Sequence, residues 1–306
     1  MPQAPNTAHD PNWTRNSGKM VFGPISAAVG VEISGVDVAN LSDAEFTAIQ
    51  AAWWKHSAIL FRNQRLSDDD LIEFSRRFGD LDHAPVMENG QTAVPGKPEI
   101  YVISNVAGPD GMPIGSLGSG EAVWHTDMSY LERPPDASLL YALEVPETGG
   151  DTWLAGMNAA LSDLPGDLLD AAKGRSIKHD GTYNSGGFQR QGARADDDPR
   201  SCEGTAHPIV CEHPETGVPA LYLGRRRNAY VVGLDLADSE ALLDRLWEHA
   251  TRSRFAHAHR WSVGDLLMWD NRCTLHRRDE FDPSLRRVMH RTQVKGRMVP
   301  TRAAIE

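Results

Sequence analysis

The sequence predicts one β-rich domain, a closed or double-sheet β architecture decorated by helices. Three observations predict it. Short apolar and β-branched runs (SAILFRNQ, ASLLYALEV, DTWLAG, PALYLG, DLLMWD and RRVMHRTQV) are scattered along the chain between turn-forming residues. Helical patterns interrupt them at only a few places, and there are no internal repeats or heptads. No linker divides residues 20–306, so these runs are assigned to a single domain. Residues 1–19, rich in Pro, Asn, Asp and Thr, are expected to form a flexible tail.

From Val21 the pattern VFGPISAAVGVEISGV is strand-like, with β-branched residues and glycines interspersed. Ser42 reads as an N-cap and Glu45 completes a capping box. The helix that follows carries Phe46, Ile49, Ala52 and Trp53 on one apolar face. SAILFRNQ is a short buried strand. Ser67 and the three aspartates after it open a second helix, with Leu71, Ile72, Phe74 and Phe78 apolar and a stop at Gly79. Residues 105–122 contain GPDGMPIGSLGSG, a loop whose composition suits a mobile lid and equally an insertion without a role. Helical patterns recur over 158–173 and 237–251, and the polar stretch 184–203 reads as a loop.

At 306 residues the chain can bury a large core. A formal net charge of -11 disfavours nucleic acid or an anionic membrane surface as a partner. Cys202, Cys211 and Cys273 are odd in number and lack C-x-x-C spacing, as expected of packing residues in a reducing compartment. With no run of about 18 apolar residues and no signal-peptide pattern, a cytoplasmic protein is expected.

The chemistry centres on His125, Thr126 and Asp127, read with His276. Two imidazoles and one carboxylate can hold a divalent metal on one face and leave other positions open, the 2-His-1-carboxylate arrangement of non-haem Fe(II) oxygenases. The H-x-D half requires an extended backbone, because residues two apart on a strand point the same way. Taken alone, such a triplet is more often a solvated turn. Its weight comes from the rest of the chain: twenty-four residues separate Asp127 from Thr152, and ten separate His276 from Arg287.

That order, together with the words WHTDMSY, GGDT, WDNRCTLHR, RRVMHR and FSRRFGDLD, resembles the Fe(II)/2-oxoglutarate dioxygenases of the taurine dioxygenase and 2,4-dichlorophenoxyacetate dioxygenase family. The likeness runs from about Val21 to Lys295, nearly the whole folded chain. It implies a double-stranded β-helix (jelly-roll) core with flanking helices and iron at its mouth. It implies His125, Asp127 and His276 as metal ligands, and Thr152 and Arg287 as the clamp on the distal carboxylate of 2-oxoglutarate. A dimer or tetramer is also implied. Physical chemistry agrees: three protein ligands leave room for a bidentate keto acid and for dioxygen. An arginine fork grips a carboxylate better than a lysine does. His276 is expected at the end of a strand, after DLLMWD and a turn-like Asp270-Asn271 pair. His207 is expected in the core, and His290 on the strand face opposite the arginines.

In RRVMHRTQV, residues 287, 289, 291 and 293 share one strand face, so Arg287 and Arg291 point the same way. Two such cations repel unless each meets an anion. One anion is 2-oxoglutarate. The second is either a protein carboxylate or the acid group of a substrate, and the resemblance assigns Arg291 to the latter. The expected substrate is a small organic anion: a sulfonate, a sulfate ester or a carboxylate. Two departures weigh against taurine itself. Ala84 stands where that enzyme has a substrate-binding histidine, with His83 one residue earlier, and Val123 stands where it has an asparagine. Arg225, Arg226 and Arg227 fit a solvated or intersubunit face better than a catalytic one, and otherwise an anion-binding rim.

The reaction implied is hydroxylation of a C–H bond with release of succinate and CO2. The competing reading is a cupin-like protein that binds metal or an organic acid without turnover. The complete set of five residues speaks against it, since a mere binder has no need of all five.

Overall fold

Alternation along the strands sorts the chain into two stacked sheets and two helical covers. The computed structural model describes residues 19–86, 92–120, 122–190, 192–196 and 198–304. Apart from Lys19, the tail expected over 1–19 lies outside them.

The larger sheet has eight strands, in spatial order Val21–Pro24, Val31–Ser34, Ala58–Phe61, Leu266–Asp270, Ala137–Glu144, Val288–Val294, Tyr101–Ser104 and Ser116–Leu117. The smaller has four: Ala256–His259, Thr152–Gly156, Thr274–Arg278 and Ala122–His125. Odd and even residues separate cleanly. On the large sheet Ile59, Phe61, Leu139, Tyr141, Leu266 and Met268 pack outward against Ile49, Trp53, Leu71 and Phe74 of two helices. Their neighbours Leu60, Leu140, Leu267, Trp269 and Met289 face inward, where Leu154 of the small sheet meets them. Behind the small sheet, Ala155 and Leu275 pack against Met157, Leu161, Leu243 and Leu246 of the remaining helices. The architecture is mainly β with flanking helices. Two three-stranded sheets, 206–208 with 176–178 and 230–231, and 219–221 with 210–212 and 301–302, complete it.

The helix starts follow their caps. Ser42 Oγ accepts from the Glu45 amide while the Glu45 carboxylate accepts from the Ser42 amide, opening helix Asp43–His56. Ser67 and Asp70 repeat the box for helix Asp68–Arg76. This helix ends before Gly79, because the amides of Arg77, Phe78 and Gly79 turn to carbonyls three residues back and tighten the chain. The pattern over 158–173 resolves into two short helices, Met157–Ser162 and Gly166–Ala172. Pro165 lies between them and has no N–H to continue the first. The last helix, Leu236–Ala250, starts at Asp235, whose side chain accepts from the Asp238 amide.

Within the Gly-rich stretch expected as a loop over 105–122, the described residues 105–120 are more ordered than a loop. Ser116–Leu117 adds a parallel edge strand to Tyr101–Ser104, and Ala107 bridges to Pro113. The three cysteines are free and buried. No helix among the described residues is long and apolar enough to cross a membrane.

Candidate active site

Antiparallel pairing of Ala122–His125 with Thr274–Arg278 sets His125 directly opposite His276, their ring centroids 4.0 Å apart. Asp127 follows just past the strand end. There the Thr126 amide donates to Gly224 O at 2.8 Å and Met128 takes a left-handed φ of 45° that turns the chain away. Asp127 Oδ1 lies 3.6 Å from His125 Nε2, and Oδ2 lies 3.7 Å from His276 Nε2. One atom from each side chain falls within 4.8 Å of the others, and all three residues are buried. His276 therefore sits within a strand rather than at its end. The turn after Asp270 is tight enough that the chain has re-entered the sheet by Thr274. Its ring packs on Trp269 at 4.6 Å.

The protonation states suit metal ligation. His125 Nδ1 donates to Val123 O at 2.7 Å, which leaves the Nε2 lone pair facing Asp127. Burial pushes both imidazoles below their ordinary pKa, His276 furthest, so both are neutral. Burial alone would raise the Asp127 carboxyl. The Arg291 guanidinium outweighs it and holds that group well below the usual carboxylate range. Asp127 Oδ2 accepts from Ser138 Oγ at 2.7 Å, and Ser138 Oγ accepts in turn from Asn271 Nδ2 and Gln293 Nε2, each at 3.1 Å. Sequence reasoning missed this trio. The alternation of ASLLYALEV does place Ser138 on the inward face with Leu140, a polar residue on an apolar stripe.

A second cluster, His213, Asp270 and Cys273, also brings ligand-type atoms within 4.8 Å of one another. There Asp270 is consumed by Arg272, which donates through Nε at 2.8 Å and Nη2 at 2.6 Å, while burial pushes the Cys273 thiol up. That cluster is an ion-pair network.

Two residues along the same strand from His276, Arg278 stands opposite Thr152. Thr152 Oγ1 accepts from Trp261 Nε1 at 3.0 Å, so its own proton is free to be donated elsewhere. Arg287 is only 1% exposed, yet its Nε and Nη2 have no partner. Burial, and then the nearby Arg278, push its pKa down to about 9 against a smaller opposing pull from Asp151. Arg278 is buried too and donates through Nη2 to the carbonyls of Leu117 (3.0 Å) and Gly120, tying the 105–122 segment to this end of the site.

The strand Val288–Val294 divides as its alternation predicts. Met289, Arg291 and Gln293 turn inward; His290 pairs with Asp68 and Thr292 bonds Ser75 on the helix side. Arg291 Nη1 lies 3.2 Å from Asp127 Oδ2, and its Nε is buried without a partner. His83 is exposed, Ala84 half-buried and Val123 exposed, while His207 is fully buried. The arginine run splits three ways. Arg226 pairs with Glu240 and Asp244 on a helix, and Arg227 lies 3.3 Å over the Tyr183 ring. Arg225 departs from the solvated reading: it is 7% exposed and forms an isolated β-bridge with His125. Pairing this distant in sequence leaves no local signature.

Residues 21–293 match the profile of the family described as "Taurine catabolism dioxygenase TauD, TfdA family". The chain is 34% identical over 295 residues to a (S)-phenoxypropionate/alpha-ketoglutarate-dioxygenase of Delftia acidovorans, covering 92% of this chain and 97% of that one. It is 32% identical over 286 residues to an alpha-ketoglutarate-dependent sulfate ester dioxygenase of Pseudomonas putida, covering 89% and 88%. A crystal structure of a taurine dioxygenase from Burkholderia xenovorans superposes with a TM-score of 0.74 at 31% identity, covering 94% and 96%. With the profile spanning nearly all of the two sheets and the likeness running the length of its relatives, the chain belongs to the taurine catabolism dioxygenase family and is an alpha-ketoglutarate-dependent dioxygenase.

Proposed function

We propose that His125, Asp127 and His276 bind ferrous iron, that Thr152 and Arg287 clamp the distal carboxylate of 2-oxoglutarate, and that Arg291 receives the acid group of a small organic substrate. The observation that carries this reading is Arg287, a buried guanidinium with two unpartnered nitrogens, in a chain that also brings His125, Asp127 and His276 together. A buried cation without an anion is costly, and a carboxylate between Arg287 and the free proton of Thr152 supplies the missing acceptors. When bound, iron supplies the activation of dioxygen that lets an unactivated C–H be hydroxylated while 2-oxoglutarate becomes succinate and CO2.

The residues of the chain do the rest. The neutral imidazoles and the Ser138-held carboxylate present their lone pairs to one point. Arg287 and Thr152 fix the far end of the keto acid, so its near end has one orientation. The inward-facing apolar strip of Leu154, Trp269 and Met289 keeps water from that face. Relatives named for phenoxypropionate and for sulfate esters share the presence of an acid on the substrate. That common feature, with Arg291 beside the metal ligands, supports a carboxylate, sulfonate or sulfate ester here. The exposed Val123 suits an alkyl or aryl body better than an amine. The sandwich of an eight- and a four-stranded sheet fits a double-stranded β-helix core, and the segment 105–122, tethered through Arg278, fits a lid. A cytoplasmic dimer or tetramer completes the reading.

Under anaerobic conditions, Fe(II) with 2-oxoglutarate should give a weak visible charge-transfer band that Asp127→Ala lacks. Absence of the band in the wild type, with no uncoupled succinate formed in air, would overturn the assignment. A succinate screen over alkyl sulfonates, sulfate esters and aryloxy acids then identifies the substrate.

A further inference from the structure

Arg225 is the feature the site described so far does not use. Its backbone bridges to His125, and the preceding Gly224 accepts from the Thr126 amide at 2.8 Å, so the two segments are laced together at the metal ligands. Gly224 is required there: at φ 67° a Cβ would fall 1.7 Å from His179 Nδ1, which fixes how the chain enters Arg225. The Arg225 side chain donates once, from Nη1 to Tyr183 O at 2.8 Å, and its Nε is buried without a partner. No carboxylate among the described residues pairs with it.

The charge balance is one-sided. Arg225 and Arg291 both act on His276, Arg291 also acts on Arg225, and Asp127 is the nearby carboxylate that opposes them. Arg190, half-buried over the Tyr130 ring with an unpartnered Nε, adds a third cation acting on Arg225. Once Asp127 serves a metal ion and 2-oxoglutarate is gripped by Arg287, two guanidiniums beside the ligands still lack an anion. Holding Tyr183 O needs only one N–H, which a neutral side chain could supply. Burying a full charge for that purpose is unfavourable unless the charge meets a partner during function.

We propose that Arg225 is a second substrate-recognition residue, which grips the acid group of the substrate together with Arg291. The proposal rests on the reading that the substrate is an anion held by Arg291, and extends it. Two forks on one oxyanion select for an acid with acceptor oxygens on both sides and against its neutral amide or ester.

Binding without turnover tests this. The wild type, Arg225→Met, Arg225→Lys and Arg291→Met are each loaded with Mn(II) and N-oxalylglycine and titrated calorimetrically. The probes are 2-phenoxypropionate, hexyl sulfate and the neutral 2-phenoxypropanamide. Arg225→Met should weaken the acids by about ten- to a hundredfold, the range of a charge-assisted hydrogen bond, and leave the amide unchanged. Arg225→Lys should fall between, since it keeps the charge and loses the fork. N-oxalylglycine affinity should be unchanged in both. Acid binding by Arg225→Met at wild-type strength overturns the proposal, as does an equal loss of acid, amide and N-oxalylglycine, which would mark Arg225 as structural. If Arg225→Met does not fold, Arg225→Lys decides alone, and wild-type acid affinity there overturns the role of the fork. Failure of the underlying reading looks different: the wild type would not prefer acid over amide, or Arg291→Met would bind acids normally.

Discussion

Ser138 Oγ donates to Asp127 Oδ2 across 2.7 Å, and the direction of that bond is fixed. Asn271 and Gln293 both donate to the same oxygen, so its proton has only the carboxylate to go to. Ser138→Ala therefore frees Asp127 to rotate and strands two amide donors. Affinity for Mn(II), read by titration, should fall about 10- to 100-fold, as for other outer partners of metal ligands. Stability in urea should drop by about 1–3 kcal/mol for the unmet donors. An unchanged Mn(II) affinity would mean that Arg291 alone orients the carboxylate.

Arg287→Met should separate stability from function. Without 2-oxoglutarate the variant should melt at or above the wild-type temperature, because it removes a buried guanidinium with unmet N–H groups. The KM for 2-oxoglutarate should rise by about 10- to 100-fold, the loss of charge-assisted hydrogen bonds. A variant that melts lower and keeps its KM would place the anion of Arg287 within the protein.

Arg278→Ala cuts the tie from the small sheet to Leu117 and Gly120. Amide exchange should accelerate over 116–120 while the strands Thr152–Gly156 and Thr274–Arg278 stay protected. Unaltered exchange over 116–120 would show that pairing with Tyr101–Ser104 holds the segment by itself.

His179 gives a pH signature. Both its nitrogens are buried without partners, and burial, with His207 second, pushes its pKa well below the ordinary 6.5. It stays neutral in the fold and takes up a proton on unfolding. Its contribution is complete above pH 6.5 and is lost as pH falls below 6.5 toward the folded value. Between pH 6.5 and 5 it should steepen the stability slope by up to about 1.4 kcal/mol per pH unit. In His179→Phe, urea unfolding across that range should be flatter by this amount; an identical slope would remove His179 as the source.

What the sequence made legible was local or periodic. Ser42 with Glu45 and Ser67 with Asp70 start helices through contacts three residues apart, and the alternation of RRVMHRTQV sends Arg291 and Gln293 inward together. Spacing and flanking words single out His125, Asp127, His276, Thr152, Arg287 and Arg291; the structure brings His125, Asp127, His276 and Arg291 together and buries Thr152 and Arg287. What stayed hidden depends on pairing across long separations. Arg225 reads as part of a solvated run until a bridge lays it beside His125, a hundred positions earlier in the chain. Arg278 follows a metal ligand by two residues, but its hold on Leu117 and Gly120 requires the edge strand to be in place. The helix expected over 158–173 broke because one proline outweighed its apolar periodicity.

On the ladder between Thr274–Arg278 and Thr152–Gly156, His276 pairs with Leu154 and Arg278 with Thr152, so a proposed metal ligand and a proposed clamp residue stand on consecutive same-face rungs. Same-face positions on a strand repeat at about 6.6 Å, and the backbone hydrogen bonds of four strands make that repeat stiff. The small sheet thus serves as a gauge for chain length. If His276 and Thr152 hold the two ends of 2-oxoglutarate as proposed, a diacid one methylene shorter or longer should fit one rung and miss the other, and the pleat of the sheet would set the length of keto acid accepted.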